Sequence, residues 1–503
     1  MSINEQNSVG RITLPIIRRD INSDTSEDFT LPDYFPEIRK VLYARESMLT
    51  PAKFISGNKL DINGVIDYDL VYVSGDGRLC SAPLSAEYSF SLPLENMSEF
   101  EISEGFCIIA HSVAESSSVR VSAPRRLQIR SHIRTAVSAW GKMLCEEKIT
   151  GLDEGESVER LEEIEEAVEL VCENSDLVAL QDEYRLPSTE HRIASAQSNV
   201  LIGGVRIEDD VASINGDILI KLLVICDATG ESERVLRKIP FDAQTDLDGI
   251  DMSDKPLCTV NGNVTDLSIE VEDGNAHIEA NLVLELCGVN RHSVSYTGDM
   301  YSTDRHCECT MKQCDIPVII CNKNLNLSQN ERITIEELGF PETAEIVDIN
   351  ASAIADRVEI EDDVYIVRGN CKYNIIARKD GDYTSHEIRI PFKYDIEAEN
   401  GAFDDIESSD IVVGVSGVRA RLDGEYVSID SDISLACSLW GKKSVQMLER
   451  AELGAPSDRR SGAIVVCYPV SDDTLWSIAK RYSVKRSGIS GDPTTDSFVM
   501  IET

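Results

Sequence analysis

The sequence predicts a mainly β protein: three tandem β-rich units of about 150 residues, sandwich-like or barrel-like, followed by a small α/β module. Three observations carry this expectation. A set of landmarks recurs along the chain at one step. Each copy contains short runs rich in β-branched and aromatic residues, closed by Gly/Asp turns. The composition then changes near residue 456, where an acidic body gives way to a neutral tail.

Composition bounds the function. The chain has 503 residues, 48 basic against 89 acidic, and a formal net charge of −41. With 42% hydrophobic and 27% charged residues it is globular in composition, and long enough for several domains. Such a charge repels phosphates, so nucleic acid and anionic lipid are not expected partners. Met1–Gly10 is polar and lacks the basic and apolar regions of a secretory signal. No run approaches the ~18 apolar residues of a membrane span. The expectation is a protein made in the cytoplasm, without membrane insertion.

The repeat rests on several landmarks in a constant order. Ile62-Asn63-Gly64 recurs as Ile214-Asn215-Gly216, and more weakly as Val367-Arg368-Gly369; the glycines are 152 and 153 residues apart. Phe90, Phe241 and Phe392 keep a step of 151, and Pro36, Pro187 and Pro341 keep a similar one. The strand-like patterns Ile129–Ile133, Ile278–Leu282 and Ile429–Ile433 follow. Trp140-Gly141-Lys142 matches Trp440-Gly441-Lys442, with Val289 at the equivalent place between them. The divisions expected are 1–150, 151–312 with an acidic connector, 313–457, and 461–503.

Within each copy the elements can be justified in order. Val65 to Val73 is a strand run closed by Ser74-Gly75-Asp76-Gly77, and the next run leads to the Phe landmark, so each unit contains a hairpin. Ala276–Leu286 alternates apolar and polar residues as a half-buried strand does. Between the first two copies, Asp153–Glu183 holds 13 acidic residues and one basic, Arg160. Leu161, Ile164, Val168 and Val171 follow helical spacing there, whereas the register of the repeat places a strand near Val168–Cys172. A solvated connector is the plain reading of the acidic run, and divalent-cation binding the sharper one. A basic stripe, Arg120, Arg125, Arg126, Arg130 and Arg134, offers pairing to an acidic surface.

Fourteen cysteines without a secretory signal read as free thiols of a reducing compartment. One denser group, His306, Cys307, Cys309, Cys314 and Cys321, is a candidate metal cluster through its four cysteines. Its C-x-C-x4-C-x6-C spacing is not that of common zinc knuckles.

The tail opens with a strand, Ala463–Val470, and continues through Ser471-Asp472-Asp473-Thr474-Leu475-Trp476-Ser477-Ile478-Ala479-Lys480-Arg481-Tyr482. A polar cap before a face of Leu475, Ile478, Ala479 and Tyr482 predicts a capped amphipathic helix, with Lys480 and Arg481 complementing its dipole. A second strand ends the chain at Ser497–Ile501. The pattern Tyr468-x-Val470-x-x-Asp473-Thr474-Leu475-Trp476-x-Ile478-Ala479-x-x-Tyr482 resembles the first half of a LysM module. That family folds as two strands flanking two helices and binds N-acetylglucosamine polymers or protein partners. The resemblance implies a core of Leu475, Trp476, Ile478 and Tyr482, and a ligand groove at Asp472, Asp473, Thr474 and Ile489. Asp472 stands where the family has glycine, and the second helix is shortened to Val484–Ile489.

The body resembles SPOCS domains, the module of spore coat assembly proteins. The residues that carry this are Leu31-Pro32-Asp33-Tyr34-Phe35-Pro36-Glu37-Ile38 and Asp67–Leu79 in the first copy, with the order of the later landmarks. SPOCS copies followed by a terminal LysM module are the architecture of coat morphogenetic proteins. The resemblance implies a non-enzymatic scaffold without cofactor. It would act in the mother cell at the forespore surface, its LysM-like module docking on a coat basement-layer protein. The alternative is a wall protein that binds peptidoglycan through LysM. No catalytic motif opposes this: the seven histidines lie outside recognisable motifs, and neither a phosphate-binding loop nor H-E-x-x-H occurs.

Overall fold

The computed structural model describes residues 5–95, 97, 100, 106–151, 158–174, 177–208, 211–247, 249–250, 257–341, 344–361, 364–397, 406–457 and 464–502. It is 81% strand and 3% helical, in several separate sheets with no closed barrel.

The chain begins with a long strand, β1 (Glu5–Thr30). It continues through β2 (Ile38–Met48), β3 (Ala52–Ser56), β4 (Lys59–Ser74) and β5 (Leu79–Pro93), then the hairpin β6 (Cys107–Ala123) and β7 (Arg126–Thr150). β4 pairs with β2, β3 and β5, while β7 lies between β1 and β6. The same arrangement recurs with β8 (Val158–Asn174), β9 (Val178–Arg185), β10 (His191–Glu208), β11 (Val211–Cys226), β12 (Ser232–Asp246), β13 (Leu257–Glu272) and β14 (Asn275–Ser302). Here β11 lies between β10 and β12, and β14 pairs with β13, β8 and β9. It recurs once more with β15 (Arg305–Thr334), β16 (Glu345–Glu361), β17 (Val364–Lys379), β18 (Asp382–Ile396), β19 (Ser408–Asp423) and β20 (Tyr426–Pro456). β17 is central to one sheet and β20 pairs with both β15 and β19. The division expected near residue 313 falls inside β15. The chain turns at Thr303 and Asp304, because Arg305 onwards is needed to pair with β20.

The sheets close on three apolar cores, the first and third drawing on the one six-stranded sheet that holds both β7 and β20. Leu70 and Tyr72 of β4 meet Leu127, Ile129 and Ile133 of β7. Ile220 and Leu222 of β11 meet Ile278 and Leu282 of β14. Tyr373 and Ile375 of β17 meet Ile429 and Ile433 of β20. Burial of each such side chain is worth about 1.5–3 kcal/mol. The three landmark glycines occupy one topological position. Gly64 faces Tyr88, Gly216 faces Phe241 and Gly369 faces Phe392 across the ladder. At each, a Cβ would come within 3.0 Å of the facing ring. The ring opposite Gly64 is therefore Tyr88, and Phe90, the residue expected from the repeat, pairs with Ile62.

The opposite faces of the central strands are also covered. β4 and β11 begin with alternating burial and end in runs buried on both faces, Leu70–Ser74 and Leu222–Cys226, and β17 carries such a run at Cys371–Ala377. Their second faces bring Val71, Val73, Leu223, Ile225 and Ile376 into one cluster shared by all three sandwiches. A second shared cluster joins Trp140, Val289 and Trp440, the repeat landmarks, with the two indole rings 5.0 Å apart. β20 also runs parallel to β7 over Arg450–Glu452.

Polar links close the ring. Arg45 Nη2 donates to Ser198 O and Asn199 Oδ1 at 3.1 and 3.2 Å, joining the first sandwich to the second. Lys221 Nζ lies 2.5 Å from Asp348, joining the second to the third. Lys372 Nζ lies 2.7 Å from Glu46, and Arg39 reaches Asp382 at 2.7 Å, joining the third back to the first. Each sandwich thus touches both others, as subunits do in a closed cyclic trimer.

The acidic connector resolves as strand. β8 pairs with β14, and no helix forms despite the helical spacing of its apolar residues. The ladder satisfies its backbone groups, and its carboxylates meet cations from elsewhere. Glu165 pairs with Lys443 at 2.5 Å, Glu169 with Lys142 at 2.8 Å, and Glu163 accepts from Tyr296 at 2.8 Å. Glu162, Glu163 and Glu166 stay exposed, in keeping with the solvated reading of the run. Asp153, Glu154, Glu156 and Asp176 lie outside the described residues. The basic stripe is partly consumed too: Arg134 pairs with Glu115 at 2.8 Å and donates to Ala355 O at 2.7 Å, and Arg125 donates to Pro32 O and Phe35 O.

Candidate functional site

The tail folds as β21 (Ile464–Cys467), α1 (Leu475–Tyr482), β22 (Ile489–Ser490) and β23 (Val499–Glu502), with β23 between β21 and β22. The expected start near Ser461 lies outside the described residues. Thr474 caps α1 by accepting from Ser477 N–H at 3.1 Å, and Ser477 Oγ accepts in return from Thr474 N–H at 2.9 Å. Ser483 ends the helix in the left-handed region at φ 52°. Ile478, Ala479, Val484, Val499 and Ile501 form the core.

Of the residues expected in that core, Ile478 is buried and Tyr482 packs against it from a half-buried position. Leu475 is 40% exposed in the first turn and lies outside it. Trp476 is half-buried, and its partners come largely from the body. Its ring meets Tyr301 edge-on at 4.9 Å, and its indole N–H donates to Asp299 at 2.8 Å. Lys480 Nζ lies 2.6 Å from the same carboxylate, Arg486 pairs with Glu159 at 3.3 Å, and Tyr301 OH donates to Val484 O at 2.7 Å. One face of the module is therefore seated on β14 and β8.

The expected groove residues divide. Asp472 and Thr474 are exposed, and Ile489 is half-buried in β22, paired with Ile501. Asp473 is buried, contrary to a ligand-facing place. Its carboxylate takes the Arg481 guanidinium and the Val470 N–H at 3.1 Å. Those two partners, Arg481 foremost, hold it below the usual carboxylate range. Asp473 thus fixes the loop before α1. The shortened second helix is a single 3-10 turn, Arg486–Gly488. Away from the body the module exposes Tyr468, Val470 and Phe498, with the Tyr468 and Phe498 rings 6.4 Å apart.

The cysteine cluster does not converge. Cys307 and Cys309 lie together, but Cys314 is buried in one apolar cluster and Cys321 in another. Among the described residues no three His, Cys, Asp or Glu side chains group to hold a metal ion. Among the described side chains twelve cysteines carry free thiols, whereas Cys107 is disulfide-bonded and departs from the free thiols expected of the whole set.

A site that sequence reasoning missed lies where the three sandwiches meet. A cavity of about 520 Å³ is lined by His111, Glu285, Cys287, Asp410 and Trp440 among others. Lys53 pairs with Glu285 at 2.7 Å, and Trp440 Nε1 donates to Asp410 at 3.0 Å. Burial pushes His111 below its ordinary range and Asp410 above it. The signal was absent from the sequence, because its walls come from strands some 150 residues apart.

No family model, no curated protein and no solved structure matches the chain. No helix among the described residues is long and apolar enough to cross a membrane.

Proposed function

We propose that the chain is a non-enzymatic scaffold for spore coat assembly, three SPOCS-like sandwiches carrying a LysM-like module that docks on a coat basement-layer protein at the forespore surface. The observation that carries the reading is the seating of the module. Asp299, Tyr301 and Glu159 of the body grip Trp476, Lys480 and Arg486, which leaves Thr474 and Asp472 exposed on a fixed platform, with Ile489 half-buried beside the module core. Positioning a binding face on rigid elements lowers the cost of ordering it on association. Other coat proteins are further partners on this reading. The second reading, peptidoglycan binding, is favoured by the exposed Tyr468 and Phe498 rings, which a sugar face could stack on.

Two binding assays separate the readings. Full-length protein is expected to bind the basement-layer protein and to stay in the supernatant when mixed with insoluble peptidoglycan. Thr474→Ala should weaken partner binding while circular dichroism stays unchanged. Retention on peptidoglycan that Tyr468→Ala abolishes, with no binding to the basement-layer protein, would establish the second reading instead.

A further inference from the structure

Cys307 and Cys309 sit two residues apart on β15, so both side chains leave the same face of the strand. Their sulfurs are 3.7 Å apart, and Cys309 Sγ lies 3.2 Å from Met300 O. The pairing of β15 with β20 shifts register on both sides of them, between Arg305 and Cys307 and between Thr310 and Met311. Such breaks re-aim side chains and leave a strand free to deform locally. The pair is half-buried beside Met300 and Ile149, next to Asp299, the carboxylate that holds the C-terminal helix through Trp476 and Lys480.

We propose that Cys307 and Cys309 form a thiol–disulfide exchange site for low-molecular-weight disulfides, with Cys309 attacking and Cys307 resolving. The Cys309 thiolate attacks one sulfur of a disulfide RSSR, forming a mixed disulfide and releasing RS⁻. The Cys307 sulfur, losing its proton, then attacks Cys309 Sγ and releases the second RS⁻. The net change is two protein thiols and one RSSR converted to one protein disulfide and two RSH.

The chemistry differs at the two sulfurs. The hydrogen bond from Cys307, and then the Lys480 charge, lower the Cys309 thiol to about 7, while the same pairing pushes Cys307 up. Burial raises other thiols, as at Cys258 and Cys314, to about 12 and about 11. A small disulfide suits a half-buried pair under a docked helix better than a disulfide on a folded protein. Residues two apart on a strand are about 6.6 Å apart at Cα, near the upper limit of about 6.8 Å that a disulfide spans. The bond formed is therefore strained, and strained disulfides are the readily reduced, regulatory ones. The site does not depend on the scaffold reading.

Reduced full-length protein should be titrated with glutathione disulfide, quenched by alkylation and mapped by mass spectrometry. The expected result is loss of two hydrogens from the peptide holding both cysteines, reversed by excess glutathione. At pH 7 Cys309 should alkylate about tenfold faster than an ordinary thiol, from its larger thiolate fraction. In Cys307→Ser the glutathione adduct should accumulate on Cys309, and Cys309→Ser should react at least tenfold more slowly. Differential alkylation of the wild type answers the question if a variant misfolds. Equal reactivity of Cys309 with Cys80 and Cys145, only interchain disulfides, or one equivalent of zinc that survives dialysis and protects the pair would each overturn the proposal.

Discussion

Trp476 shows how one side chain can answer to two structures. Read along the helix, it lies next to Leu475 and two before Ile478, which suggests a small core whose loss would unfold the module. In the fold, half of its environment is Asp299 and Tyr301, some 175 residues upstream. The consequence is testable. Asp299→Ala removes acceptors for the indole N–H and the Lys480 ammonium, and hydrogen bonds to charged groups are worth about 1.5–3 kcal/mol. It should loosen the module without melting it, since Ile478, Val499 and Ile501 keep their contacts. Hydrogen–deuterium exchange is expected to show protection retained within Leu475–Tyr482 and lost at Tyr301. Trp476→Ala should give the same pattern, and the double variant should cost less than the sum of the two. Loss of protection throughout Leu475–Tyr482 in Asp299→Ala would mean the module has no independent fold. The helix, its Thr474 cap and its basic last turn were visible in the sequence because they depend on local spacing. The exposure of Leu475 and the burial of Asp473 were not, because they depend on where the body and Arg481 stand.

At the scale of the element, the Gly–aromatic pairs mark the three central strands. The I-N-G landmark could be aligned from the sequence, since a glycine at one register position is a local demand. Its reason could not: the ring it admits lies on the next strand, and in the first copy that ring is Tyr88. The three sites are not equivalent energetically. At Gly216 and Gly369 an added Cβ also meets a backbone carbonyl, of Leu201 and Ile354, among its three nearest atoms, whereas at Gly64 the three nearest all belong to the far end of the Tyr88 ring. A backbone carbonyl yields less readily than a ring tip, and overpacking of this kind costs about 1–3 kcal/mol. Gly216→Ala and Gly369→Ala should therefore lower stability in urea by more than Gly64→Ala. Equal losses at all three would show that the ring, not the carbonyl, sets the cost. β8 teaches the converse: the helical spacing of Leu161, Ile164, Val168 and Val171 is present, but β14 offers a partner to every register position from Val158 to Asn174, and tertiary pairing wins over local pattern.

Over the whole molecule, the sandwiches are expected from sequence to fold unaided, because each has a core of its own. The doubly buried ends of β4, β11 and β17 argue otherwise. Val71, Leu223 and Ile376 are removed from water only when all three sandwiches are assembled, and so are Trp140 and Trp440. The runs that make this joint were legible as continuous apolar stretches such as Leu222–Cys226, but a sequence does not say what covers the second face. Lys221 tests the joint most sharply. Its ammonium crosses from the second sandwich to Asp348 of the third, whose side chain is only 2% exposed. Removing one partner of a buried ion pair leaves the other uncompensated, at a cost of about 3–5 kcal/mol, whereas replacing both by apolar groups of similar volume is often neutral or stabilising. Lys221→Ala should thus shift the urea midpoint of the whole body downward in one cooperative transition, and Lys221→Met combined with Asp348→Leu should recover most of the loss. If the sandwiches were independent, Lys221→Ala would leave a transition for the first sandwich unmoved, and that separate transition, followed by hydrogen exchange in β4 and β5, would refute a shared joint.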